Sequence, residues 1–188
     1  MTPAPQKRPH SASLMVALAL ALAFAVVGCG TDDGSSGAQI DELEAAVHEL
    51  QDERQIRDLY TTFSHSVDSD DSVLLRTVVT DDINADYSAD FGFVLEGVDN
   101  FVAQTESGLG PPITEHLMAT YDIDITGDTA TGSRYVVAWH VDPDDPTNQF
   151  VVGARYDDTL IRSADGWRIS DFTFKVLFTD GDPTITQG

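Results

Sequence analysis

The sequence predicts an α+β fold, with helices first and an antiparallel sheet after them. Three observations carry this. Apolar residues recur at three- and four-residue spacing between Ile40 and Val67, the period of an amphipathic helix. From Ile113 onward the period changes to two, through four strand-length runs separated by short turns. Of the 188 residues, 41% are hydrophobic, enough to fill one core in a chain of single-domain length. No internal repeat is present.

The first element reads as an address. Lys7-Arg8 precede an apolar run from Leu14 to Val27, the layout of an export signal. A helix of that length covers about 21 Å, short of the ~30 Å hydrocarbon core, so a permanent span is disfavoured. Val26-Val27-Gly28-Cys29 resembles the bacterial lipobox, in which the Cys is diacylated through its thiol and becomes the new N-terminus. Cys29 is the one Cys of the chain and ends the apolar run; the alternative is an incidental thiol. This reading makes 1–28 a lipoprotein signal peptide and 29–39 a lipidated Cys with a flexible Gly/Ser/Asp tether. The protein is then exported and lipid-anchored at the outer face of the bacterial cell membrane, or on the periplasmic side of the envelope.

Residues 40–55 form an amphipathic lead-in helix with Ile40, Leu43, Val47 and Leu50 on one stripe. The stripe changes phase before Ile56, Leu59, Tyr60, Phe63 and Val67, so the lead-in feeds the first core helix either continuously or through a kink. It is expected to pack on its own domain; the alternative is a partner helix, although two heptads are too few to define a coiled coil. The folded domain spans 56–180, followed by a tail at 181–188. Ser69-Asp70-Asp71 offer caps for a second helix over Ser72–Val79. Asp99-Asn100 introduce a third, ended by Gly108 to Pro112. Strands follow over Glu115–Ile125, Thr129–Val141, Gln149–Arg162 and Trp167–Phe178. Phe172, Phe174, Val176 and Phe178 of the last one are predicted on a single face.

Charge excludes several functions. Asp and Glu number 32 against 10 Lys and Arg, a formal charge of −22, so nucleic acid is not a partner. The same field favours neutral or cationic ligands over anionic ones. One Cys rules out an intrachain disulfide, and no zinc-type Cys/His spacing occurs.

Three residues are candidates for chemistry: Asp68, His116 and His140. Asp68 ends the core helix, a poor place for a merely structural acid because the helix dipole disfavours it there. His116 opens the first long strand and His140 ends the second. Whether they meet depends on the turn at Gly127: a three-residue loop places them on one face, a two-residue loop on opposite faces. Each alone is equally readable as a polar residue at a strand end. Together they suit proton abstraction beside a carbonyl, with a carboxylate fixing the tautomer of an imidazole. No Ser or Cys sits in a nucleophile motif, and no H-x-D spacing favours metal.

The stretch Ile56-Arg57-Asp58-Leu59-Tyr60 through Phe63, Asp68 and Asp71 resembles the first helix of SnoaL-like domains in the nuclear transport factor two-like superfamily. Thr114-Glu115-His116-Leu117-Met118, Ile125-Thr126-Gly127-Asp128-Thr129-Ala130, Gly153-Ala154-Arg155-Tyr156-Asp157-Asp158 and Asp165-Gly166-Trp167-Arg168-Ile169 continue the resemblance. It implies a cone: a curved antiparallel sheet closed by N-terminal helices around a deep pocket, a cystatin-like α+β barrel that often forms a homodimer. The scytalone dehydratase and bile-acid dehydratase branch looks nearest, and its enzymes eliminate water with a helix-end Asp and strand His residues, without metal or cofactor. Carried over, Asp68 orients His140 as general base and His116 donates to the departing oxygen. Tyr60, Phe63, Met118, Tyr135, Trp139 and Phe172 are candidate walls for a small hydrophobic oxygenated ligand. Phe63 departs from the family, which often carries a Tyr there. The alternative function is a non-catalytic ligand-binding or protein-interaction module of the cell envelope.

Overall fold

In the computed structural model, which describes residues 33–108 and 113–186, four helices and a six-stranded sheet form an α+β cone with the sheet unclosed. Residues 1–28 and Cys29 lie outside the described residues. Helix α1 (Asp33–Asp68) runs unbroken through the lead-in and the core segment. Its C-terminal half buries Ile56, Leu59, Tyr60, Phe63 and Val67 against the sheet. Its N-terminal half does not pack as expected: residues 36–51 are all exposed. The boundary is Asp52, whose carboxylate accepts from Arg162 Nη2 at 2.6 Å and from the Trp167 indole N–H at 3.2 Å. Arg162 also donates to Asp128 at 3.0 Å. One acid thus fastens the helix to the residues flanking the Ala164-Asp165 turn and, through Arg162, to the Gly127-Asp128 turn.

Helix α2 (Ser72–Arg76) is shorter than predicted and is capped by Asp71, which accepts from Leu74 N–H at 2.8 Å. Strand β1 (Val79–Asp86), helix α3 (Ser88–Phe91), strand β2 (Val94–Glu96) and helix α4 (Val98–Gly108) follow. Then come the predicted strands: β3 (Ile113–Thr126), β4 (Thr129–Val141), β5 (Gln149–Ser163) and β6 (Gly166–Gly181). The sheet order is β2-β1-β6-β5-β4-β3, antiparallel except where β1 lies parallel to β6.

Bulges set which side chains enter the cone. On β6, Gly153 pairs with Phe178 but Ala154 with Val176, so Leu177 is an extra residue. That inversion overturns the expected face of Phe178, which lies outside over Gly153, where a Cβ would collide with its ring. Phe172 and Phe174 stay inside, in a ring cluster with Tyr87, Phe101 and Tyr156.

Candidate active site

α1 ends at Asp68, whose carboxylate meets the beginning of β3. Thr114 Oγ1 donates to Asp68 Oδ1 at 3.0 Å, and the backbone N–H of His116 donates to Oδ2 at 2.9 Å. His116 Nδ1 stands 2.6 Å from Oδ1. A carboxylate only accepts, so the ring hydrogen sits on Nδ1 and Nε2 is left as the open acceptor. Burial on its own would raise the Asp68 carboxyl, but the bonds from His116 and Thr114 outweigh it and hold the group below its ordinary 3.8. Asp68 therefore orients His116, not His140 as the sequence reading had it.

The β3–β4 turn is the two-residue form, Gly127-Asp128, with Thr126 opposite Thr129. That register alone would put His116 and His140 on opposite faces. It does not persist: Asp122 pairs with Ser133, but Ala119 pairs with Tyr135, so β3 carries one extra residue between them. Thr120 sits there at φ 56, in the left-handed region that a β-branched residue rarely enters. Beyond this bulge His116 pairs with Ala138 and Thr114 with His140, and both imidazoles point inward. Their ring centroids are 6.0 Å apart at an interplanar angle of 79°.

His140 is buried, and its Nδ1 lies 3.3 Å from the carbonyl oxygen of Phe150. The carbonyl fixes the hydrogen on Nδ1 and leaves Nε2 open here too. Burial pushes the His140 imidazole below its ordinary 6.5, and the nearby His116 acts in the same direction.

Both His residues line a cavity of about 380 Å³ at the end of the cone where α1 stops. Its walls are mostly aromatic and aliphatic: Phe63, Val67, Val136, Phe150, Val152 and Tyr156 from α1 and the sheet. Tyr87, Phe91 and Phe93 close it from the α3 region, and Gln104, Thr105 and Thr186 add polar atoms. Burial drives the Tyr156 hydroxyl up to about 12 and that of Tyr87 well above its ordinary value, so both phenols stay protonated at neutral pH.

Of the six predicted wall residues, Phe63 lines the cavity and five do not. Tyr135 and Trp139 occupy odd positions of β4, on the outer face opposite His140. Phe172 is core, enclosed by Tyr87, Phe101 and Tyr156. Tyr60 and Met118 lie deeper, around an ion pair the sequence reading missed. Arg134 and Asp158 are both fully buried and joined at 3.0 Å through two parallel bonds. The guanidinium is caged by the rings of Tyr156, Tyr60 and Phe63 at 4.2, 4.5 and 4.6 Å and donates to Met118 Sδ. The Tyr60 hydroxyl packs over Gly132, where any Cβ would collide with it. The aromatic run Tyr87, Phe91, Phe93 in an otherwise polar stretch was the available signal for the missed wall. Inward parity on β5 was the signal for Tyr156.

Among the described residues no group of three or more His, Cys, Asp or Glu side chains is placed to hold a metal ion. The site is an apolar chamber with one Asp–His pair and one further neutral imidazole.

Fold and site define a class: cone-shaped α+β proteins with an apolar interior pocket lined by titratable side chains. Within that class, the SnoaL-like domain family matches residues 48–173, two thirds of the chain, and the protein belongs to it. The uncharacterized protein Rv2910c of Mycobacterium tuberculosis is 28% identical over 137 residues, covering 70% of this chain and 90% of its own. The protein Kfla4162 from Kribbella flavida has the same fold, with TM-score 0.68 and 23% identity, covering 74% of this chain and 99% of its own. So does the hexachlorocyclohexane dehydrochlorinase LinA-type3 from Novosphingobium barchaimii, with TM-score 0.62, 15% identity and coverage of 73% and 94%.

Proposed function

We propose that this protein binds a small, neutral, hydrophobic oxygenated molecule and acts on it as a cofactor-independent dehydratase or isomerase. The observation that carries the reading is the 2.6 Å Asp68–His116 pair opening onto an apolar chamber. His116 Nε2 is the general base: it takes a proton from carbon next to a carbonyl, and the imidazolium so formed stands against the Asp68 carboxylate. The C–H electron pair becomes a C=C bond. In dehydration the β-hydroxyl leaves with its bonding pair and collects the proton from His116, releasing water and restoring the base. In isomerisation the proton returns to a different carbon. His140, neutral and with Nε2 open, accepts a hydrogen bond from a ligand hydroxyl, so the base role expected of His140 passes to His116, which keeps its expected part in protonating the departing oxygen. A dehydrochlorinase on the same fold supports elimination as the reaction type. The chain is further proposed to be exported and held at the membrane by lipid on Cys29.

The test combines mass spectrometry of small molecules that co-purify with the protein and NMR of the recovered ligand in D₂O. Exchange of the hydrogen beside its carbonyl, or loss of water, is expected with the native chain and lost in His116→Ala. A ligand bound in the cavity that undergoes neither reaction would assign the chamber to carriage alone. Cys29→Ser is expected to release the protein from membranes, and continued membrane association would reject the anchor.

A further inference from the structure

The exposed half of α1 has no reason to stay helical by itself. Residues 36–51 are all exposed, and an isolated helix of that length is marginal in water. Yet its large apolar residues keep one seam: Ile40 is 55% exposed, Leu43 65%, Val47 43% and Leu50 65%. Their spacing is a-d-a-d of two heptads, with β-branched residues at both a positions and Leu at both d positions. Two heptads of spacing alone define no coiled coil, but here the seam is exposed on a helix continuous with the folded domain, and the residue choice favours two parallel strands over three or four.

The charges agree. Asp41, Glu42 and Glu49 occupy b and c positions, which face away from a two-stranded seam. Across a parallel pair the flanking g and e positions bring Gln39 to Glu44 and Ala46 to Gln51, with no like-charged contact. The next a and d positions are Arg54 and Arg57. Both are committed within their own helix, to Asp58 and Glu53, so the seam stops where the domain begins. We propose that the exposed half of α1 pairs in parallel and in register with the same segment of a second copy of this chain, as a short stalk that carries two cones side by side.

The test uses the full chain with Cys29→Ser, which removes the native thiol, and one new cysteine at a time. Under mild oxidation Leu43→Cys and Leu50→Cys are each expected to form disulfide-linked dimers at least about tenfold faster than Glu42→Cys and Glu49→Cys, whose thiols face outward. Raising salt is expected to strengthen the dimer, because it screens acid against acid. Equal rates at all four positions would overturn the proposal. So would a Leu43→Cys chain that links only to a Leu50→Cys chain, which is the antiparallel result. An exposed seam that stays monomeric in sedimentation, or that captures a basic helix in a salt-weakened complex, would equally refute it. Leu43→Asp with Leu50→Asp is expected to halve the sedimenting mass and leave the near-ultraviolet spectrum of the domain unchanged.

Discussion

Asp68→Asn is the sharpest test of the site, because the structure says how the amide must sit. Asp68 accepts three bonds, and one donor, the backbone N–H of His116, has no freedom to turn round. The Asn carbonyl must therefore take the place of Oδ2 and meet that N–H. Its NH₂ then falls at the place of Oδ1, facing His116 Nδ1 and the Thr114 hydroxyl. Thr114 can rotate to accept. His116 can accept only by moving its hydrogen to Nε2, which converts the ring from base to donor on the cavity side. The number of bonds survives, so stability changes only by the loss of charge assistance. Charge-assisted bonds contribute about 1.5–3 kcal/mol and neutral ones about 0.5–1.5, a difference of about 1–1.5 kcal/mol per bond and about 3–4.5 kcal/mol at most over the three. For a domain of this size that lowers the melting temperature by roughly 2–18 °C, from one bond's share to all three. Turnover should fall by about 100- to 10,000-fold, the usual contribution of a positioned general base. Nitrogen-15 NMR of the imidazole reads the tautomer without any substrate: Nδ1–H in the native chain, Nε2–H in Asp68→Asn. An unchanged tautomer, or activity within tenfold of native, would refute the reasoning.

Deleting Thr120 removes the bulge and should turn His116 to the outer face, abolishing its NMR coupling to Asp68. Thr120→Gly keeps the bulge and should change stability by no more than about 1 kcal/mol, since relief of the left-handed backbone offsets the added freedom of Gly. Asp158→Asn leaves the caged Arg134 unneutralised and should cost about 3–5 kcal/mol, read as a thermal shift of roughly 6–20 °C. Arg134→Met combined with Asp158→Leu should recover most of that loss, and no recovery would place the cost elsewhere. Because the folded chain holds His140 below 6.5, the unfolded chain binds a proton that the folded one refuses as pH falls through that value. Stability should therefore decline on acidification by up to about 1.4 kcal/mol per pH unit, and His140→Gln should flatten that slope in urea titrations.

Period and turn chemistry made the four long strands legible, to within a few residues, because each is bounded by Gly, Asp or Pro turns. What stayed hidden has physical causes. β1 was missed because Asp81-Asp82 interrupt its alternation; there the pairing with β6 is irregular and both acids face solvent. The bulges at Thr120 and Leu177 were also invisible. A bulge adds one residue without changing composition, and it inverts every side chain beyond it. One such inversion expelled Phe178 and the other rescued His116 from the wrong face. The buried Arg134 could not be told from a surface Arg by alternation alone, since Asp158, 24 residues away, is what makes its burial tolerable.

The chain is acidic outside, yet no carboxylate is among the described residues that line the chamber, and Asp68, behind His116, is saturated by three donors. Arg134, packed against the wall residues Phe63 and Tyr156, is neutralised by Asp158. No positive group is left over among the cavity residues to receive a ligand anion, and both imidazoles present bare nitrogens to the interior. A carboxylate or phosphate ligand would meet acceptors there and an opposing field outside. A neutral ligand that donates from a hydroxyl or an activated C–H finds two acceptors in waiting. They differ in one respect: a proton on His116 faces Asp68, while a proton on His140 is penalised by burial and by His116. On the function we propose, His116 takes the proton and His140 holds the ligand, and proton abstraction from a neutral molecule is the chemistry that uses both.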